Sequence, residues 1–145
     1  MPVPKIDRVV LDTNILVSLI INQDADQLAD WVAEYGITFY ACPELITELR
    51  TTFEKPAVRK FLSEPINFYL EFIQSLCQVV AISKRFDRAI DPDDNFLFDL
   101  AYSVKAFYLV SGERALLNMK HVNRIRIISL AEFRRLIRNS GNGIK

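Results

Sequence analysis

Three features of the 145-residue chain predict an α/β protein, a three-layer α/β/α sandwich on a central parallel sheet of five strands. Short runs of β-branched and aromatic residues are separated by segments with helical spacing. Within each run the apolar residues continue without alternation, as in strands buried on both faces. Consecutive parallel strands need a crossover, and the intervening helices supply it while covering the sheet.

The first strand spans Arg8 to Leu11, and Asn14 begins a turn after it. Leu28, Trp31, Val32 and Tyr35 then repeat at three and four residues, with Gly36 where a left-handed C-terminal cap belongs. The second strand is Ile37 to Ala41. Pro43 suits a first helical position, and Leu45, Leu49 and Phe53 continue at four-residue spacing until Lys55-Pro56 interrupts. Pro65 opens a segment in which Tyr69, Phe72, Ile73 and Leu76 share a face, followed by a third strand from Gln78 to Ile82. Asp91-Pro92 begins a helix running to about Val104, before a fourth strand from Phe107 to Val110. The fifth strand is Arg126 to Ile128. Ser129 with Glu132 resembles a capping box for a last helix through Ile137. Residues 1–138 are expected to form one domain, and the polar, glycine-containing residues 139–145 a flexible tail.

Half of the residues are hydrophobic and a quarter charged, which fits a folded protein and excludes a disordered one. The apolar runs fall short of the ~20 residues of a membrane span, and MPVPKIDR lacks a secretory apolar region, so a cytoplasmic protein without membrane contact is expected. Cys42 and Cys77 flank strand-like segments as free thiols. With His121 the one histidine, a zinc site of the usual His/Cys kind cannot be assembled within one subunit. Residues 1–113 hold 10 Lys/Arg against 17 Asp/Glu, and residues 114–145 hold 8 against 1. An acidic body with a basic end invites an anionic partner. Equally, Arg134, Arg135 and Arg138 are placed to be the solvated face of the last helix.

In an open parallel sheet, the working crevice lies at the carboxyl ends of the strands. Asp12 follows the first strand. The helix after the second brings Glu44 and Glu48, four apart on one face. Asp91, Asp93 and Asp94 open the helix that descends from this rim, and Ser111, Gly112 and Glu113 follow the fourth strand. Crowded carboxylates repel, and a bound cation relieves them. Ligands of oxygen only suit a hard ion, Mg²⁺ or Mn²⁺. Such an ion activates water for phosphodiester hydrolysis. A single histidine provides no Ser-His-Asp or Cys-His arrangement, and no G-x-x-x-x-G-K-[ST] loop is present. Each acid also has a structural role open to it: Asp12 and Asp91 as caps, Glu44 in a first turn favoured by the helix dipole.

VVLDTNIL, PELITEL, DPDDNFLFDLA and YLVSGERALL resemble, in order and spacing, the PIN-domain nucleases, most closely the toxin components of toxin–antitoxin systems. The resemblance runs from about Arg8 to Ile137. It implies a Rossmann-like fold and Mg²⁺- or Mn²⁺-dependent cleavage of single-stranded RNA, often by a homodimer held inactive by an antitoxin protein. Matched block by block, Asp12, Glu48 and Asp94 take the places of the first three family acids, and Asn14 that of a polar residue orienting Asp12 or a water. Glu113 stands where the fourth is usually Asp, one methylene longer, and Ser111 is placed to hold a water. Asp93 and Asp99 fit further acidic positions that could ligate a second ion. Arg50 and Arg114, just beyond the rim, are expected to contact RNA phosphates. The alternative is a catalytically weak or inactive module that binds RNA or an antitoxin. Haloacid-dehalogenase-like phosphatases need Asp where this chain has Asn14, and response-regulator receivers need Asp where it has Ser83-Lys84.

Overall fold

The computed structural model describes residues 6–84, 86 and 94–140. In chain order the elements are β1 (Arg8–Leu11), α1 (Thr13–Ile21), α2 (Asp26–Tyr35), β2 (Thr38–Ala41), α3 (Pro43–Glu54), α4 (Pro56–Arg59), α5 (Ile66–Leu76), β3 (Cys77–Val79), α6 (Asn95–Ser103), β4 (Tyr108–Val110), α7 (Arg114–Met119), β5 (His121–Val122), β6 (Ile125–Ile128) and α8 (Leu130–Ser140). Helices flank one sheet in the order β3-β2-β1-β4-β6-β5. Its neighbours are parallel except β5 and β6. The expected α/β architecture is therefore present, with six strands among the described residues rather than five. The added strand, β5, has two residues and turns back antiparallel on β6, too short to leave a periodic signal.

The central strands are buried as their unbroken apolar runs require: Val9, Val10, Leu109 and Val110 are fully inaccessible. β3 departs from that expectation. It lies at the edge of the sheet, and Gln78 and Val79 are exposed. Burial of a strand on both faces depends on its neighbours, which its own residues do not encode.

Local signals explain most helix ends. Gly36 closes α2 at φ 65, in the left-handed region glycine adopts without strain. Pro43 begins α3, and Lys55, held extended before Pro56, ends it. The Ser129 hydroxyl accepts the Glu132 N–H at 3.1 Å, completing one half of the capping box of α8. α1 has only a narrow polar face, Asn14 and Ser18, and six of its nine residues are buried, so it forms by packing more than by amphipathic pattern. Trp31 of α2 and Phe133 of α8 meet edge-on at 5.1 Å, and both lie against Phe39 of β2. No helix among the described residues is long and apolar enough to cross a membrane. Asp91, Asp93 and the tail residues 141–145 lie outside the described residues.

Candidate active site

From β1 the chain continues to β2 and β3 on one side, while from β4 it continues to β6 and β5 on the other. A crevice opens at such a reversal, outside the carboxyl ends of the two central strands. Asp12 and Ser111 occupy those two ends. The Asp12 N–H donates to the Val110 carbonyl at 2.9 Å, and the Ser111 N–H to the Ile128 carbonyl at 2.9 Å, so the ladders fix both backbones.

Asp12 stands at the N-cap position of α1, where its carboxylate also draws on the Asn14 N–H. Across the crevice its Oδ2 accepts the Ser111 hydroxyl at 2.7 Å. Ser111 Oγ in turn accepts the Glu113 N–H at 3.0 Å. This relay leaves the hydroxyl proton aimed at Asp12. Both side chains are almost wholly inaccessible, at 2% and 0%.

Burial is the largest influence on Asp12 and lifts its carboxyl above the ordinary 3.8; the Ser111 hydrogen bond and the Asn14 N–H oppose the rise, and the charges of Glu48 and Glu113 reinforce it. The fold thus presses two further carboxylates toward a buried one. Asn14 takes part through its backbone, its side chain being exposed. Thr13, which the sequence does not single out, is 1% exposed, and its hydroxyl has no hydrogen-bond partner among the described residues. Such a group costs about 1–3 kcal/mol unless something polar reaches it.

The other expected residues occupy distinct positions. Glu48, on the second turn of α3, is half-buried beside the inaccessible Leu49. Asp94 is 9% exposed at the N-cap position of α6. Asp99 is buried on α6, where Oδ1 accepts the Phe86 N–H at 3.0 Å and anchors that residue. Arg50 donates to Asn67 Oδ1 at 2.8 Å, linking α3 to α5. Arg114 is exposed at the start of α7. Asp93 lies outside the described residues. Cys42, also at this rim, is pushed up to about 11 chiefly by burial, which keeps it a thiol rather than a nucleophile.

Among the described residues no three Asp, Glu, His or Cys side chains form a ready ion cage. The donor chemistry nevertheless fits a hard divalent ion. Asp12, Glu48 and Glu113 offer oxygen only, and no Lys or Arg among the described residues pairs with them. Mg²⁺ is ordinarily held through one or two carboxylates with water completing its shell.

A family model described as a PIN domain matches residues 8–115, about three-quarters of the chain. The chain belongs to the PIN-domain family. No curated protein matches it. PIN domains are generally nucleases that use divalent metals, and the matched stretch contains Asp12, Glu48, Asp94, Ser111 and Glu113. β5, β6 and α8 of this PIN domain fall beyond the match.

Burial, reinforced by the charges of Glu48 and Glu113, makes an ionised Asp12 costly in the absence of metal. Its folded pKa lies above the unfolded 3.8, so the folded state binds the proton more tightly. Stability is therefore highest when Asp12 is protonated and declines as pH rises from 3.8 through the raised value. Melting temperatures of the wild type and Asp12→Asn, compared in EDTA from about pH 4 to about pH 8, isolate this group. The variant's advantage should grow with pH; a constant difference would show that the carboxylate is not destabilised.

Proposed function

We propose that this PIN domain is a metal-dependent endoribonuclease that hydrolyses phosphodiester bonds of single-stranded RNA, acting as the toxin of a toxin–antitoxin pair. The observation that carries the hydrolytic reading is the Asp12–Ser111 contact at the sheet's reversal, with the charges of Glu48 and Glu113 bearing on the same carboxylate. The preference for RNA, the antitoxin partner, the homodimer and the cytoplasmic location are supported by the resemblance of the four sequence blocks to the toxin branch of the family.

Asp12, Glu48 and Asp94 would hold Mg²⁺ or Mn²⁺, with Asp93 and Asp99 as candidates for a second ion. Bound there, the metal activates water and neutralises charge on the phosphate. Ser111 keeps one Asp12 oxygen oriented, leaving the other available to the crevice. Glu113 assists through its carboxylate, while its N–H holds Ser111 in place. Arg114, and Arg50 from its tie to Asn67, contact phosphates without reading bases.

Incubation of the purified protein with unstructured RNA and Mn²⁺ or Mg²⁺ tests the activity. Metal-dependent internal cleavage supports the reading, and intact RNA across a range of pH opposes it. The second reading, a weak or silent binding module, is favoured by one feature: Glu113 where the family usually has Asp. Glu113→Asp separates the two. A faster reaction shows that the longer side chain limits a working nuclease; metal-insensitive RNA binding without cleavage, unchanged by the substitution, supports the module.

A further inference from the structure

Residues 114–129 contain four Lys/Arg, the single histidine and no Asp or Glu. They fold into α7, β5 and β6, at the edge of the sheet, and they lie almost wholly outside the PIN-domain match. Arg114, Lys120, His121, Arg124 and Arg126 are all exposed.

Arg114 precedes the hairpin at the rim, and the other four lie on it. Arg114 begins α7 beside Glu113 at the acid rim. The Lys120 carbonyl accepts the Ile127 N–H at 2.9 Å, His121 lies opposite Arg126, and Val122 lies opposite Ile125. Asn123 and Arg124 then turn the chain at the far end, with Asn123 at φ 53. At about 3.3 Å per residue, the four residues of β6 span about 13 Å, room for a few nucleic-acid phosphates.

Three arginines away from this edge are occupied. Arg134 donates to Gln27 at 3.2 and 2.9 Å, Arg8 to the Val104 carbonyl at 2.9 Å, and Arg50 to Asn67. Arg126 is partly engaged, since its charge and hydrogen bond oppose the upward push of burial on Tyr108. Arg114, Lys120 and Arg124 make no ion pair among the described residues. At its lower end Arg124 faces a cavity of about 820 Å³, which Lys105, Tyr102 and Ser103 also line, with no carboxylate of the described residues among them. Of the exposed large hydrophobic side chains, Phe61, Phe68 and Val79 lie next to α4, on α5 and on β3 at the opposite edge, and Tyr102 alone lies here, so this edge lacks the apolar cluster that centres a protein interface.

We propose, resting on the ribonuclease reading of the rim, that this edge is a track for single-stranded RNA. Phosphates leave the acid rim at Arg114, run past Lys120, His121 and Arg124, and end at the cavity beside Lys105. The track supplies affinity that the carboxylates, which repel a polyanion, cannot. It carries no base readout, so its contribution is electrostatic and salt-dependent.

The test is the affinity of the full chain, in EDTA, for fluorescent unstructured RNAs of about 16 and about 4 nucleotides at several salt concentrations. Lys120→Glu with Arg124→Glu should weaken binding of the longer RNA by about tenfold or more and flatten its log–log salt slope by about 1.4, two lost contacts at about 0.7 each. Affinity for the short RNA, held at the rim, should change less than about twofold. Lys120→Gln with Arg124→Gln should fall between, which guards against misfolding, as do thermal melts. Unchanged affinity and slope for the longer RNA would overturn the track. So would a loss confined to a protein partner, with RNA binding intact. Failure of the wild type to cleave in Mn²⁺ would instead remove the ribonuclease reading, while the binding data still decide the track.

Discussion

Asp12→Asn is expected to reduce RNA cleavage by about 10²–10³-fold or more, the loss associated with deleting a group that stabilises charge in a reaction centre. The substitution is nearly isosteric. The amide oxygen can still accept the Ser111 hydroxyl, so the geometry between β1 and β4 is retained and only the charge disappears. Because burial opposes that charge and Glu48 and Glu113 press on it, the variant should melt higher without metal. A loss of activity with a gain in stability distinguishes a functional acid from a structural one: a carboxylate placed to hold the fold would lose both together. Cleavage by Asp12→Asn at the wild-type rate would remove Asp12 from the chemistry.

Phe133→Ala should have the largest effect on stability. The ring is fully buried between Trp31 and Phe39, joining α8 to α2 and β2. Truncation leaves a cavity among rigid aromatic neighbours that cannot close it, at about 3–5 kcal/mol. For a chain of this size that corresponds to a fall in Tm on the order of 10 °C. The described rim acids sit at the starts of α1, α6 and α7 and on α3, none of them an element of this cluster, so kcat per folded molecule should stay within about twofold well below the new Tm. Denaturant unfolding followed by tryptophan fluorescence measures the first effect, since Trp31 is the single tryptophan. A loss under about 1 kcal/mol would show that α8 is not part of the core.

The parts of the fold carried by local rules were legible. Gly36, Pro43, Lys55-Pro56 and the Ser129–Glu132 pair each mark a helix end by restricting one residue's backbone or supplying one hydrogen bond. α1 was not predicted, because ILVSLII is apolar but for Ser18 and gives too weak a helical period, and packing shapes it. α7 and β5 are too short for periodicity. The exposure of β3 follows from its place in the sheet. At the site, the gathering of Asp12, Glu48, Ser111 and Glu113 could be foreseen because position after a parallel strand determines which rim a residue reaches. The Asp99 contact with the Phe86 N–H and the orphaned Thr13 hydroxyl could not, since both depend on side-chain packing within the assembled fold.

Binding of Mn²⁺ to the full chain, followed by the loss of its free-ion paramagnetic resonance signal, tests most directly whether the buried carboxylates are arranged for a cation. The wild type should take up Mn²⁺, and saturation at about 100 times Kd should stabilise it by about 2.7 kcal/mol. Asp12→Asn should bind at least about 10–100-fold more weakly and lose that stabilisation. Equal Mn²⁺ uptake by wild type and variant, or none by either, would contradict a metal site at the end of β1.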